Sequence, residues 1–357
     1  MAFFFMAFFS ARNNKSFSMA VMFLLLGIFM SSLEFTGAKS VGVCYGRIGD
    51  NLPSEQEVLE LYKASGIEKM RIYDPNQATL RALGMFPDIE LILGVPNGDL
   101  EALATDASSA TDWVQRNILP YAPAANIRYI SVGNEVRPMD PAAQFVLPAM
   151  QNICNALESA NNAMEVLQIK VSTSVDATLL GSSYPPSAGA FSDSASSYII
   201  PIVQFLADKG APLLANIYPY FSYIGDPTSI DLNYALFTSP GVVVQDGAFG
   251  YQNLFDAILD AFYSAIEKAG FSNMEVVVSE TGWPSDGGTA ATIENASTYY
   301  QNLINHIQNG TPKRPGQPTQ TYLFAMFDEN QKGPAETERH FGLFSPDKQP
   351  KYPISFL

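Results

Sequence analysis

Two short stretches hold the residues whose chemistry most needs explaining: V-G-N-E, ending at Glu135, and S-E-T-G-W-P, with Glu280 in second place. Each glutamate ends a run of apolar and small residues of the kind that forms a buried strand, where a charge is either costly or useful. A single acid there is often only the exit of a strand or a cap for the next helix. Two such acids on separate strands, both flanked by aromatic segments, point instead to carboxyls facing each other across a pocket. That arrangement suits acid-catalysed cleavage of a glycosidic bond. One carboxyl is protonated to release the leaving oxygen, and the other is ionised to attack or stabilise the sugar cation. Their surroundings must then drive the two proton affinities apart.

Other chemistries find little support. The only histidines are His306, in a surface-type helical stretch, and His340, which follows no strand; G-x-S-x-G is absent, so a Ser-His-Asp site is not indicated. No P-loop occurs, and GVCYGRIG (42–49) is not G-x-G-x-x-G. No CxxC, HExxH or His/Cys cluster suggests a metal, and no cofactor is expected. The two cysteines, Cys44 and Cys154, sit among apolar neighbours and read as buried free thiols.

The pair must be held by a scaffold, and the chain has a recurring unit that supplies one. Eight short runs rich in β-branched residues begin near positions 41, 69, 90, 127, 169, 212, 275 and 320. Several are continuously apolar, as strands covered on both faces are. Stretches of helical spacing lie between them, such as PSEQEVLELYKASG (53–66), with Ser54 as cap and acids in the first turn. Eight βα units in one run predict a single (β/α)8 TIM barrel. The longest gap, residues 222–250, is rich in Gly, Pro and Asp and reads as a small inserted subdomain after the sixth strand.

In such a barrel, loops at the C-terminal ends of the strands form the working face. The polar residues fall there. Tyr73 and Asp74 close the second strand, Asn134 and Glu135 the fourth, Asn216, Tyr218 and Tyr220 the sixth, Glu280 the seventh, and Asp328 and Glu329 the eighth. Aromatic rings would give sugar rings flat platforms, and Asn134 and Asn216 could bond hydroxyls.

The N-terminus has a different character. Arg12 and Lys15 precede AVMFLLLGIFM (20–30), and small residues follow to TGA (36–38), which is the layout of a secretory signal peptide over residues 1–38. The apolar run is shorter than the roughly 20 residues that span a bilayer. Met19 is an alternative start. Residues 39–357 then form the catalytic domain. Without the leader the chain carries 18 basic and 34 acidic residues, which argues against a nucleic-acid partner.

GVCYGRIGDNLPSEQEV, MRIYDP, YISVGNEV, PLLANIYPYF, YALF, YQNLFDAILDA, VVVSETGWPS, TYLFAMFDENQK and HFGLFSPD together resemble plant endo-β-1,3-glucanases, glycoside hydrolase family 17, from Val41 to about Tyr352. The resemblance implies a (β/α)8 barrel and retaining hydrolysis of internal bonds of β-1,3-glucan along an open groove. It makes Glu135 the general acid/base and Glu280 the nucleophile, with carboxyls about 5 to 5.5 Å apart. It also places a supporting cluster of Glu329, Lys332 and Glu338, in which Lys332 would keep neighbouring acids ionised. Tyr73, Asn134, Asn216, Tyr218 and Phe221 are the expected groove residues, with Trp283 and Phe344 beside them. RALGMFPDIELILGVP departs from the family pattern around the second loop and third strand, away from the catalytic pair.

The chain ends at KYPISFL without the C-terminal extension of vacuolar relatives, a cysteine-rich glucan-binding module or a hydrophobic tail for a lipid anchor. An extracellular, apoplastic enzyme is therefore expected, and a monomer for lack of an obvious apolar surface stripe, with two sequons at Asn295 and Asn309, of which Asn309 is the better placed for a glycan. A mixed-linkage β-1,3;1,4-glucanase and a glucan-binding protein without turnover are the competing readings.

Overall fold

Eight parallel strands close on themselves, each joined to the next by a helical connection. The computed structural model describes residues 41–122, 124–164 and 168–356. The leader read over residues 1–38 lies outside the described residues. The barrel strands are β1 (Val41–Cys44), β2 (Lys69–Ile72), β3 (Glu90–Val95), β4 (Asn126–Asn134), β5 (Lys170–Asp176), β6 (Leu213–Asn216), β7 (Val276–Thr281) and β8 (Thr321–Leu323). They run in sequence order around the barrel, and β1 pairs with β8 to close it, Val41 opposite Thr321. The architecture is a (β/α)8 TIM barrel, as the recurring βα unit predicts.

The helices are α1 (Glu55–Ala64), α2 (Gln77–Leu83), α3 (Leu100–Thr105), α4 (Ala107–Asn117), α5 (Ala143–Met164), α6 (Asp193–Lys209), α7 (Pro219–Gly225), α8 (Leu232–Ala235), α9 (Leu254–Lys268) and α10 (Ile293–His306). Their starts follow side-chain chemistry. Asn76, Asp106, Ser192, Asn253 and Thr292 each accept a bond from a backbone N–H in the first turn, and Ser54 pairs with Glu57. α6 ends at Gly210, whose φ of 60° suits a residue without a β-carbon.

The expected insertion after β6 is present as α7, α8 and an antiparallel hairpin of Val244–Asp246 with Phe249–Tyr251. A second hairpin, Leu180–Ser182 with Ala190–Phe191, follows β5 and was not expected from the sequence. The two are tied together: the Ser187 amide and hydroxyl both donate to the Asp246 carboxylate at 2.7 Å. The second hairpin also lies hard against α9, where a β-carbon on Gly189 would sit 2.2 Å from the Ala261 carbonyl oxygen. This cover explains why α9 is buried on every side from Leu254 to Ile266, its Asp256 and Asp260 included, whose carboxylates are bonded by His306 and Thr311.

The eighth strand is shorter than the sequence suggests. After Leu323 the chain alternates its partners, with Phe324 N bonding Thr281 O, Ala325 N bonding Phe341 O and Met326 N bonding Cys44 O. Asp328 and Glu329 therefore do not close a strand. Asp328 turns away from the mouth to Lys351, at 2.7 Å.

Candidate active site

Both glutamates sit where the barrel's regular pairing breaks. β4 slips against β5 between Ser131 and Asn134, and β7 slips against β6 between Val278 and Glu280. Such irregularities re-aim the side chains that follow. At the end of β4, Gly133 has φ 78° and Glu135 has φ 52°, a left-handed conformation that costs a glutamate about 1 kcal/mol or more. Three bonds hold it there. Asn97 and Asn134 clamp each other through amide and main chain, at 2.8 and 2.9 Å, and Glu135 N donates to Ser174 O at 2.9 Å.

Arg71 organises the floor of the site, and the sequence reading overlooked it. Its side chain is 1% exposed. Nη1 donates to Asn216 Oδ1 and Ser279 O and pairs with Glu280 Oε1 at 2.9 Å, while Nη2 donates to Asn134 Oδ1 at 2.7 Å. The signal was available: an arginine inside K-M-R-I, a strand otherwise committed to the core. Buried inside the barrel, Ser279 donates to Asn216 Oδ1 at 2.8 Å and lies 3.4 Å from Ser174, which in turn bonds Ser131 at 2.8 Å, so the polar network runs on into the core.

The two acids have unlike environments. Glu280 accepts from the Tyr73 hydroxyl at 2.9 Å, from the Tyr218 hydroxyl at 2.7 Å and from Arg71, so it is presented as an ion-paired acceptor. Burial pushes both phenols far above their usual range, and they remain donors. Glu135 instead receives one bond, from Asn216 Nδ2 at 2.8 Å. Burial, then the charge of Glu280, pushes its pKa up to about 7 against the pull of Asn216 and Arg71, with Asp176 adding to the rise. One carboxyl thus holds its proton well above the ordinary carboxylate range, up to about pH 7, beside another held by a cation and two hydroxyls.

Both open into one groove of about 1080 Å³ at the C-terminal ends of the strands. Tyr73, Asn134, Asn216, Tyr218 and Phe221 line it with them, as do Glu329, Lys332 and Glu338. Trp283 and Phe344 do not. Trp283 is fully buried, donates Nε1 to Ala290 O at 2.9 Å and packs on Tyr220 and Tyr299, because the chain after β7 folds its side chain down onto α10. Phe344 is 5% exposed and held in main-chain pairing with Met326 and Asp328. Phe324 and Phe341 take the wall positions instead.

In the supporting cluster Lys332 reaches Glu338 at 3.3 Å and Glu329 at 3.7 Å, and its ammonium lies 3.9 Å from the Phe324 ring centre. Lys332 does not dominate Glu329 as expected. Burial raises that carboxyl above its ordinary range, and Lys332 only partly offsets it. A β-carbon on Gly46 would meet the Glu329 carboxylate at 2.3 Å, so the loop after β1 must carry glycine there.

The family model for glycosyl hydrolases family 17 matches residues 41–356. The chain belongs to this family. It is similar to a glucan endo-1,3-beta-glucosidase of Vitis vinifera, 61% identical over 94% of this chain and 97% of that one. Among solved structures it is similar to a β-1,3-glucanase and allergen of Cryptomeria japonica pollen, 52% identical with a TM-score of 0.84, over 88% of this chain and 98% of that one. It is also similar to a chain from the structures of two plant β-glucan endohydrolases with distinct substrate specificities, at 49% identity and a TM-score of 0.84, over 88% of this chain and 99% of that one. In this family 17 hydrolase each cation lining the groove already has an acid: Arg47 has Asp74 and Glu55, Arg137 has Asp176, and Lys332 has Glu338. The groove therefore offers no unmatched positive charge among its lining residues, and an anionic polymer would meet a surplus of carboxylates.

Proposed function

We propose that this hydrolase is an endo-acting β-1,3-glucanase that cleaves internal bonds of neutral β-1,3-glucans with retention of anomeric configuration. The observation that carries the reading is the pair Glu135 and Glu280, brought from β4 and β7 into one groove with opposite local chemistry. Glu135 protonates the departing glycosidic oxygen, and Glu280 attacks the anomeric carbon. Water then enters with Glu135 as base, releasing the sugar from Glu280. Tyr73, Tyr218 and Arg71 fix the attacking oxygens and limit the reorganisation needed in the transition state. Phe221, 42% exposed and packed on Tyr218 at 5.3 Å, is a wall on which a sugar ring stacks.

The names of the similar plant proteins support the β-1,3 linkage, and the matched groove charges support a neutral polymer. The leader over residues 1–38 supports secretion to the extracellular space, where fungal wall glucan and callose are the substrates at hand and defence is the proposed role. The mature protein acts as a monomer with a glycan at Asn309, whose residue is exposed. Reducing-end release from laminarin against lichenan tests the linkage, with faster release from laminarin expected. Preference for lichenan overturns it. Proton NMR of the first product tests retention: the β-anomer must appear before mutarotation, and the α-anomer appearing first overturns the assigned roles.

A further inference from the structure

Asp176 is the last residue of β5 and lies in register opposite Asn216, the residue that donates to Glu135. One of its oxygens accepts from Thr178 N at 2.9 Å and from the Thr178 hydroxyl, which pins the carboxylate to the turn after the strand. The other accepts from Arg137, at 3.1 Å from Nη2 and 3.4 Å from Nε. Arg137 stands two residues beyond Glu135, and its own amide is held by Asp140 at 2.8 Å. Both side chains line the groove that contains Glu135.

We propose that Asp176 and Arg137 form a positioning pair that sets the proton affinity of Glu135 by charge, without touching the reacting atoms. The inference rests on the reading of Glu135 as the acid of the reaction, and goes beyond it. The charged groups acting on Glu135 are Glu280 from β7, Asp176 from β5 and Arg71 from β2, with the Asn216 amide from β6 donating to it; Arg137, two residues along its own loop, reaches it through Asp176, and the phenols of Tyr73 and Tyr218 are engaged with Glu280. After Glu280, Asp176 is the carboxylate whose charge opposes ionisation of Glu135 most. Its negative charge is in turn partly masked by a guanidinium that is 57% exposed at the rim. Removing the two partners must then push Glu135 in opposite directions, an outcome that a merely structural ion pair does not produce.

The test is a pH titration of the Glu135 carboxyl by carbon-13 NMR in protein labelled at the glutamate δ-carbon, the resonance assigned by its loss in E135Q. In D176N the midpoint falls by about half a unit relative to the unsubstituted protein, and in R137M it rises by a similar amount. The alkaline limb of kcat/KM on laminarin moves the same way in each. Midpoints that stay within about 0.2 of the unsubstituted protein, or that move in one direction in both variants, overturn the proposal. R137M alters only an exposed rim residue, so its titration decides even where D176N, which touches a turn cap, is poorly folded. The titration reads a carboxyl and not turnover, so its failure leaves the hydrolase reading standing, and absence of laminarin hydrolysis leaves the titration intact.

Discussion

Replacing Arg71 with methionine keeps most of the side-chain volume and removes the one cation buried beneath Glu280. The Glu280 side chain is 8% exposed, so its charge has little water to turn to. Asn134 Oδ1, Asn216 Oδ1 and Ser279 O lose a donor at the same stroke. Breaking a buried ion pair from one side costs about 3 to 5 kcal/mol, mostly from the orphaned charge. That is a large part of the 5 to 15 kcal/mol that holds a typical protein folded. The orphaned charge is also what a second substitution repairs, because Gln at position 280 keeps the shape of the side chain without the charge. Urea unfolding of the unsubstituted protein, R71M, E280Q and R71M/E280Q, followed by far-ultraviolet circular dichroism, measures the coupling. R71M is expected to unfold at markedly lower urea, and adding E280Q should recover at least about 2 kcal/mol. If R71M unfolds with the unsubstituted protein, or if E280Q adds its own cost on top, Arg71 is not the counter-ion described here.

Three further outcomes follow from the same geometry. Glu135, raised to about 7 from an ordinary 4.5, contributes stability that is complete below pH 4.5 and is lost as pH climbs through 7. Thermal melts should therefore show the unsubstituted protein falling behind E135Q by no more than about 3 kcal/mol between those limits, while the alkaline limb of kcat/KM on laminarin lies near neutrality. F221A removes an exposed stacking wall, so KM for laminarin should rise about tenfold with kcat within about threefold; an equal loss in both would place Phe221 in the transition state instead. G46A drives a methyl group into the buried Glu329 carboxylate, and a loss of about 1 to 3 kcal/mol in urea unfolding is expected, with no loss arguing that Glu329 moves aside freely.

The fold was legible because each strand is short, apolar and followed by a helix with a recognisable start, as at Ser54 and Glu57. The acids were legible because Glu135 and Glu280 interrupt runs that otherwise belong to a core. Arg71 escaped because a lone arginine within a strand looks the same in sequence whether its head reaches solvent or turns inward to the barrel axis. Trp283 and Phe344 were misplaced for the converse reason: proximity to Glu280 along the chain says nothing about which way a large ring rotates once the strand has ended. The hairpin at 180–191 was missed because its strands are two and three residues long, too brief for alternation to register. Asp328 was read as a strand end because Q-T-Y-L-F-A-M-F continues its apolar character well beyond the point where regular pairing stops.

The left-handed main chain at Glu135 bears on whether the barrel still turns over substrate. Glycine, asparagine or aspartate would sit at that φ with less steric penalty, so a protein serving only as a passive sugar-gripping scaffold would gain by exchanging the residue. Holding a long acid in a posture its own β-carbon resists makes sense where a proton has to be delivered from that spot. An idle scaffold would have every energetic reason to let it go.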